Sequence, residues 1–253
     1  MSGDERALEA LTVVAEVSTD RVLELLRDGN LQPEGLLPGA SNDTFLATIA
    51  DASLETYAVY KPRDGEAPLW DFPDGTLYRR EMAAYVVSEA LGWQIVPPTV
   101  VRDGPMGVGM VQLFIDHDPA EHYFTLEEHH ADVFRRVAVF DLMVNNADRK
   151  GGHCLLQRDT GRIFVVDHGV TFHPHPKLRT VIWDYAGEPF PPDVLSDLTT
   201  FSKNVMSGPL RDLLGELLDP SEIEALQRRT EGCIRLACFP EPGPGHPYPW
   251  PPV

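Results

Sequence analysis

The chain has 253 residues, of which 43% are hydrophobic and 24% are charged, and its formal net charge is -18. This length and composition fit one large globular domain, or two lobes with a substantial core, and exclude a disordered chain. The negative charge argues against binding to nucleic acids and anionic membranes, because both are polyanions.

Cysteine usage and the start of the chain indicate the compartment. The three cysteines, Cys154, Cys233 and Cys238, have no zinc-ligand spacing, and so low and odd a count argues for a reducing compartment without disulfides. The first ten residues are acidic and lack the apolar stretch of a signal peptide. No apolar run reaches the roughly 18 residues that a membrane span needs, so we expect a cytoplasmic protein.

Residues 1–35 are predicted to form an N-terminal helical segment. Apolar residues recur at helical spacing between residues 4 and 30, and the Gly29-Asn30 pair can end a helix. The apolar positions are Val14, Val17, Val22, Leu25 and Leu26.

Residues 36–116 alternate between strand-like and helical patterns. A turn-rich segment leads into an apolar run, and an alternating run then ends at Lys61, as in a β-hairpin. Residues 76–92 predict a helix that Thr76 can cap and Gly92 can end. The strand-like runs PPTVV and GVGMVQLFI follow. The order strand, strand, helix, strand, strand predicts one small lobe.

Residues 117–238 are predicted to be mainly helical. A helix over 125–147 has a capping-box pattern at 125–128, and the polar loop NNADRKGGH follows it. A hairpin of HCLLQ and IFVVD comes next, and helices at about 207–218 and 220–238 complete this lobe. The proline-dense residues 239–253 are expected to run over the surface or fray.

Lys61 ends a strand-like run and precedes Pro62, a position from which an ammonium group can point into a cleft. Glu81 lies near the start of the next predicted helix. A strand lysine paired with a helix glutamate is the device by which kinases hold a lysine over the phosphates of ATP. The alternative is a lysine on the solvated surface.

Asp148 and Asp167 are separated by the predicted hairpin, each after an apolar stretch. A tight two-stranded ribbon would bring the two carboxylates to the mouth of one cleft. There they could share metal binding and the orientation of an acceptor hydroxyl. The alternative, two ordinary turn aspartates, leaves the apolar flanks VFDLMV and IFVVD unexplained.

The order of Lys61, Glu81, the N-x-D-R-K motif at 146–150 and the D-H-G motif at 167–169 resembles that of atypical kinases. It is similar to the phosphatidylinositol 3- and 4-kinase catalytic domain and to HipA-type kinases, in a bacterial branch. The resemblance covers about residues 36–200. It implies an α+β, bilobal kinase-like fold, with a small antiparallel-sheet lobe and a mainly helical lobe.

The resemblance also implies the catalytic roles. Lys61 would contact the α- and β-phosphates of ATP, and Glu81 would hold Lys61. Asp148 would orient or deprotonate the acceptor hydroxyl, and Asp167 would bind the metal. Arg149 and Lys150 would then either touch phosphates or an anionic acceptor, or lie in solvent.

For the nucleotide itself, the resemblance implies two further groups of residues. Ser41 and Asn42 would lie over the phosphates. Residues 110–115, including Gln112, Leu113 and Phe114, would form the hinge that reads the adenine edge through backbone groups.

Two positions depart from the family pattern. The asparagine expected five residues after the catalytic aspartate is replaced by His153, a candidate metal ligand whose nitrogen suits Mn²⁺ better than Mg²⁺. The alternative is a histidine that only begins the hairpin. The phosphate loop also has one glycine, Gly39, where the pattern has three.

The sequence therefore predicts a kinase that uses ATP and Mg²⁺ or Mn²⁺ to phosphorylate a hydroxyl of a protein, a small molecule or itself. The acidic surface argues against an inositol-lipid acceptor at an anionic membrane. A nucleotide-binding module with little or no transfer activity is the first alternative, and transfer of AMP is another.

Overall fold

The computed structural model describes residues 17–39 and 41–253. Its first half is a five-stranded antiparallel sheet of order β1-β2-β3-β5-β4, with one helix before the sheet and one within it. These elements are α1 (Thr19–Asp28), β1 (Asn30–Leu36), β2 (Phe45–Ala50), β3 (Glu55–Pro62), α2 (Leu77–Ala90), β4 (Thr99–Gly104) and β5 (Gly107–Leu113).

The second half is mainly helical and contains one two-stranded antiparallel ribbon. Its elements are α3 (Tyr123–Leu126), α4 (Ala131–Val144), β6 (Cys154–Leu156), β7 (Ile163–Val165), α5 (Pro192–Asn204), α6 (Pro209–Leu217) and α7 (Pro220–Leu236). No helix among the described residues is both long and apolar enough to cross a bilayer.

Two apolar cores accompany these two halves. One lies between α1 and the outer face of the sheet, around Leu25, Leu26 and Ile49. The other is larger, and it packs α2 against the helices of the second half around residues such as Phe134 and Phe140. Burial of these apolar side chains supplies the main driving force for folding. The predicted α+β class, with a small antiparallel sheet and a helical lobe, is confirmed.

The N-terminal segment differs from its prediction. The part of the predicted helix before Val17, with Val14, lies outside the described residues. Helix α1 forms as expected, with the Ser18 hydroxyl accepting the Arg21 N–H, but residues from Asn30 onward form the edge strand β1. Pro33 argued against a strand in the sequence, because proline cannot donate a backbone hydrogen bond. At the edge of a sheet proline is tolerated, and here it lies beside an irregularity in the pairing.

Helix α2 begins where predicted but is capped by a distant residue. The Thr76 hydroxyl donates to Pro73 O, so it does not cap the helix. The Glu66 carboxylate instead accepts the N–H groups of Leu77 and Tyr78, at 3.1 and 2.7 Å. A carboxylate at the positive end of a helix is favourable. Glu66 lies 11 residues before Leu77, too far away in the sequence for a capping pattern to indicate it.

The helix predicted over 125–147 is broken. Its first part is the short helix α3 followed by a 3-10 turn at Glu127–His129, and the regular helix α4 begins only at Ala131. Thr125 interacts with His122 at the start of α3 rather than with Glu128: its Oγ1 accepts the His122 N–H at 3.0 Å and donates to His122 O at 2.9 Å. The apolar positions were correct, but the capping pattern belongs to α3.

The proline-dense tail is held against the helical lobe at two positions. Pro252 O accepts the Gly151 N–H at 2.7 Å, and Pro247 O accepts the Thr180 N–H at 3.0 Å. The part of the tail near Pro247 and Pro252 therefore does not fray.

Candidate active site

Lys61 occupies the centre of the site because β3 alternates its side chains across the sheet. Tyr57, Val59 and Lys61 share one face, while the residues between them are buried against the other. The Lys61 ammonium lies 2.6 Å from Glu81 Oε1 and 2.9 Å from Asp167 Oδ1. Burial lowers the pKa of Lys61, but the Asp167 and Glu81 carboxylates outweigh it and raise that pKa above its usual value.

Glu81, in helix α2, contacts both lobes. Its side chain is 1% exposed, and its second oxygen, Oε2, accepts the backbone N–H of His168 at 2.8 Å. One carboxylate therefore holds both the lysine of the sheet and the D-H-G segment of the helical lobe.

Asp167 has a left-handed backbone, with φ of 62°. Few non-glycine residues adopt this conformation, although aspartate is enriched among them, and backbone strain of this kind clusters at active sites. Lys61 lowers the pKa of Asp167, which keeps the carboxyl ionised, and the side chain is 49% exposed. An ionised, accessible carboxylate is a suitable ligand for a divalent cation.

His153 lies beside Asp167, with its Nε2 atom 3.4 Å from Asp167 Oδ2. Burial lowers the pKa of His153 to about 4, so the imidazole is neutral at physiological pH. Its Nδ1 accepts a long, 3.4 Å hydrogen bond from the Lys150 N–H. Ligation through Nε2 would need the other tautomer and would cost only this weak bond.

His153 and Asp167 fit a metal that is shared with a nucleotide. No group of three or more histidine, cysteine or acidic side chains among the described residues could enclose a cation. Two protein ligands leave the other positions to phosphate oxygens and water, as is usual for Mg²⁺ at phosphate-transfer sites.

Asp148 lies in the loop after α4. Burial raises the pKa of its carboxyl, and the nearby Lys150 ammonium, 3.4 Å from Oδ2, opposes that rise. Asn146 holds the loop, since its Oδ1 accepts the Asp148 N–H and its Nδ2 donates to Asp141, each at 3.0 Å. Lys150 thus lies beside the candidate base.

Arg149 contacts neither solvent nor a phosphate position, which corrects both sequence interpretations. Its side chain is fully buried, and it donates from Nε and Nη2 to the two oxygens of Asp141, each at 3.0 Å. It also donates to Val166 O at 2.9 Å and to His168 Nε2 at 2.7 Å. The ion pair therefore fixes the loop after α4 that carries Asp148 (residues 145–150, called the catalytic loop below) to the D-H-G segment.

His168 is a packing residue. It is fully buried and packs edge-on against Phe140. A guanidinium can only donate, so Nε2 of His168 accepts and its hydrogen lies on Nδ1. Sequence reasoning missed the partner, although one signal existed: Asp141 is a charged residue inside the apolar helix VFDLMV.

The predicted phosphate-loop residues lie in the hairpin loop between β1 and β2. Ser41 is exposed there, and the Asn42 side chain accepts the Ala67 N–H at 2.8 Å. Asp43 N–H donates to Gly65 O at 3.0 Å. The loop is therefore anchored to the turn after β3, and the Asn42 side chain keeps both N–H donors of its amide nitrogen for another partner.

The predicted hinge residues use part of their hydrogen-bonding capacity within the sheet lobe. The Leu113 N–H donates to Pro98 O at 2.9 Å and the Phe114 N–H to Tyr57 O at 3.1 Å, while the Gln112 side chain donates to Thr99. The N–H groups of Leu113 and Phe114 are therefore used within the lobe, and the role of residues 110–115 as a hinge stays a prediction.

Comparison with known proteins fits this geometry. The family model for phosphatidylinositol 3- and 4-kinase matches residues 76–199. The Mycobacterium tuberculosis protein Rv2133c is 39% identical over 262 residues, covering 90% of this chain and 94% of that protein. Phosphatidylinositol 4-kinase gamma 4 of rice (Oryza sativa subsp. japonica) is 31% identical over 186 residues, which cover 61% of this chain and 32% of that protein.

This chain belongs to an atypical kinase family related to the phosphatidylinositol 3- and 4-kinases. Solved structures show the same fold. The Golgi casein kinase with Mn/ADP bound matches with a TM-score of 0.54 and 17% identity, covering 93% of this chain and 80% of that one. The Helicobacter pylori proinflammatory kinase CtkA matches with a TM-score of 0.51 and 11% identity, covering 85% of this chain and 94% of that one.

The fold is protein-kinase-like, and the match to the phosphatidylinositol 3- and 4-kinase model supports an enzyme of the phosphotransferase class. The predicted relation to phosphatidylinositol 3- and 4-kinases is confirmed. The HipA-type relation and the individual site roles stay predictions.

Proposed function

We propose that this kinase transfers the γ-phosphate of ATP to a hydroxyl group, with Mg²⁺ or Mn²⁺ as cofactor. The observation that carries the proposal is the position of the Lys61 ammonium, 2.6 Å from Glu81 and 2.9 Å from Asp167. A strand, a helix and the D-H-G loop converge there on one cation. Phosphoryl transfer depends on such positioning and charge stabilisation.

Each side chain then has a separate role. Lys61 neutralises phosphate charge, and Glu81 holds Lys61 in place. Asp148 accepts the proton of the acceptor hydroxyl, for which its raised pKa makes it a better base than an ordinary aspartate. Lys150 supplies positive charge beside it.

Asp167 and His153 would hold the metal, which would neutralise charge on the phosphates. The Golgi casein kinase with Mn/ADP bound supports nucleotide and divalent-metal use in this fold. A nitrogen ligand favours Mn²⁺ over Mg²⁺, so we expect activity to be higher with Mn²⁺.

A protein or small-molecule acceptor agrees best with the net charge of -18. An anionic bilayer would repel such a surface. Phosphorylation of an inositol lipid is the second candidate, favoured by the 31% identity to the rice phosphatidylinositol 4-kinase. A cytoplasmic location stays a prediction.

A nucleotide-binding module without transfer is the other candidate, favoured by His153 at the asparagine position and by the single glycine, Gly39, of the phosphate loop. Incubation with γ-labelled ATP and each metal tests all three candidates, with the protein itself, casein and phosphatidylinositol as acceptors. We expect label in a protein acceptor and a loss of about 10²- to 10⁴-fold in Asp148→Asn, with ATP binding retained. Label in lipid alone would overturn the preference for a protein or small-molecule acceptor, and no label in any acceptor with either metal would contradict the transfer itself.

A further inference from the structure

The glycine pair that follows the catalytic loop has no role in the proposed chemistry. Gly151, its first member, is buried, and its backbone is not in the left-handed region that would require glycine. A Cβ at Gly151 would lie 3.1 Å from Phe124 Cε2 and 3.4 Å from Pro252 O. The space that a side chain would need is therefore occupied by α3 and by the proline-dense tail.

Gly151 begins the 3-10 turn Gly151–His153, which carries the candidate metal ligand His153. The first N–H of a helical turn has no acceptor within the turn. Pro252 O accepts the Gly151 N–H at 2.7 Å. At the other end of the turn, His153 O accepts the Val166 N–H at 3.0 Å, which ties the turn to the two-stranded ribbon. The tail therefore fixes the beginning of the turn, and the ribbon fixes its end.

Residues 247–252, called the tail segment below, are themselves anchored. Pro247 O accepts the Thr180 N–H at 3.0 Å and the Trp183 Nε1–H at 3.3 Å, and Thr180 forms an isolated β-bridge with Arg149 of the catalytic loop. Pro249 is buried between the two anchored carbonyls. A proline-rich chain makes no internal backbone hydrogen bonds, so its carbonyls are available to outside donors. The tail segment thus contacts two chain segments that adjoin the catalytic loop.

We propose that the tail segment positions His153 for metal binding, so that detaching it weakens the metal site without changing a ligand. The inference rests on the proposed function, in which His153 and Asp167 hold the metal. Nε2 of His153 lies 3.4 Å from Asp167 Oδ2, and the two residues belong to different chain segments, so this spacing depends on a fixed turn. Removing a group that orients a metal ligand typically lowers metal affinity about 10- to 100-fold.

Hydrogen exchange of the full chain, without nucleotide or metal, tests whether the tail segment holds the turn. Pro249→Asp should detach the segment, because a carboxylate is costly at a buried position. Pro244→Asp is the control, since it makes the same change at an exposed position of the same tail. The amides of residues 151–153 should exchange about tenfold faster in Pro249→Asp and at the wild-type rate in Pro244→Asp. Unchanged exchange in Pro249→Asp would overturn the proposal.

Thermal unfolding with ATP and graded Mn²⁺ then measures the apparent metal affinity of the same variants. Pro249→Asp should need about tenfold more Mn²⁺ than the wild type and should lose the preference for Mn²⁺ over Mg²⁺. In a His153→Ala background, the same substitution should change metal affinity by less than about twofold, because the ligand that the tail positions is gone. A tail that only stabilised the fold would lower the Tm of the ligand-free protein and leave metal affinity unchanged.

Gly151→Ala disturbs the same contact without changing the tail, because its methyl group must displace Pro252 O or the Phe124 ring. It should also speed exchange in the turn and lower metal affinity. A fall in metal affinity that is equal with and without His153 would overturn the inference, since the tail would then act elsewhere. Wild-type metal affinity in both Pro249→Asp and Gly151→Ala would overturn this inference alone. A wild type that binds ATP with neither metal would overturn the proposed function, and this inference with it.

Discussion

At the scale of single residues, buried charged residues that take no part in the proposed chemistry hold the side chains that do. Asp141 and Arg149 are both fully buried, and together they connect α4, the catalytic loop and the D-H-G segment. The sequence predicted Asp148 and Asp167 because a hairpin of known length separates them. It could not predict that Arg149 points inward, since that depends on a partner eight residues earlier, in a helix.

Asp141→Asn tests this buried support. The substitution keeps the shape of the side chain but leaves the Arg149 charge uncompensated, so we expect a loss of about 3–5 kcal/mol in the free energy of unfolding. Urea denaturation measures it. Asp132→Asn in the same helix is the control, because Asp132 is 98% exposed and 3.9 Å from Arg135, and it should change stability by less than about 1 kcal/mol. Equal effects in the two variants would contradict a structural role for the buried pair.

Lys150→Met tests the environment of Asp148. Burial raises the pKa of Asp148 and the Lys150 charge lowers it, so removing that charge raises the pKa further. A base must be ionised to accept a proton, so the acid limb of kcat/KM against pH should move to higher pH. Lys177→Met, which removes a lysine paired with Asp71, is the control and should leave the limb in place. An unchanged limb in Lys150→Met would exclude Asp148 as the group that sets it.

At the scale of elements, the position of β3 decides where Lys61 lies. Alternation along ETYAVYK predicted its face correctly, because a strand with one buried face has a fixed side-chain period. The strand β1 was not predictable, because its residues show no such alternation and it forms by pairing with β2. The close approach of β5 to β3 at Gly109 could not be predicted from the sequence either.

Gly109→Ala tests that close approach. A Cβ at Gly109 would lie 2.4 Å from Lys61 O and 2.7 Å from Pro62 Cα, so the two strands must separate. We expect a loss of about 1–3 kcal/mol in stability and weaker ATP binding, because Lys61 moves with its strand. Gly35→Ala in β1 is the control, since a Cβ there meets nothing within 4 Å. If Gly109→Ala kept the wild-type affinity for ATP, the packing of β3 against β5 would not control nucleotide binding, contrary to this prediction.

At the scale of the whole molecule, both lobes and the residues that meet between them could be predicted from motif order. Lys61, Glu81, His153 and Asp167 lie far apart in sequence and come together as a connected group. The hinge contacts and the course of the tail could not be predicted. They depend on backbone hydrogen bonds, such as Leu113 to Pro98 and Gly151 to Pro252, which any residue type can form.

Thermal unfolding of the wild type and of Asp167→Asn, with and without ATP and either Mg²⁺ or Mn²⁺, is the most direct test of the nucleotide and metal site. A ligand that binds only the folded state raises Tm. We predict a metal-dependent rise with ATP in the wild type, larger with Mn²⁺, and its loss in Asp167→Asn. No rise with any combination of nucleotide and metal would contradict the site built on Lys61, Glu81 and Asp167.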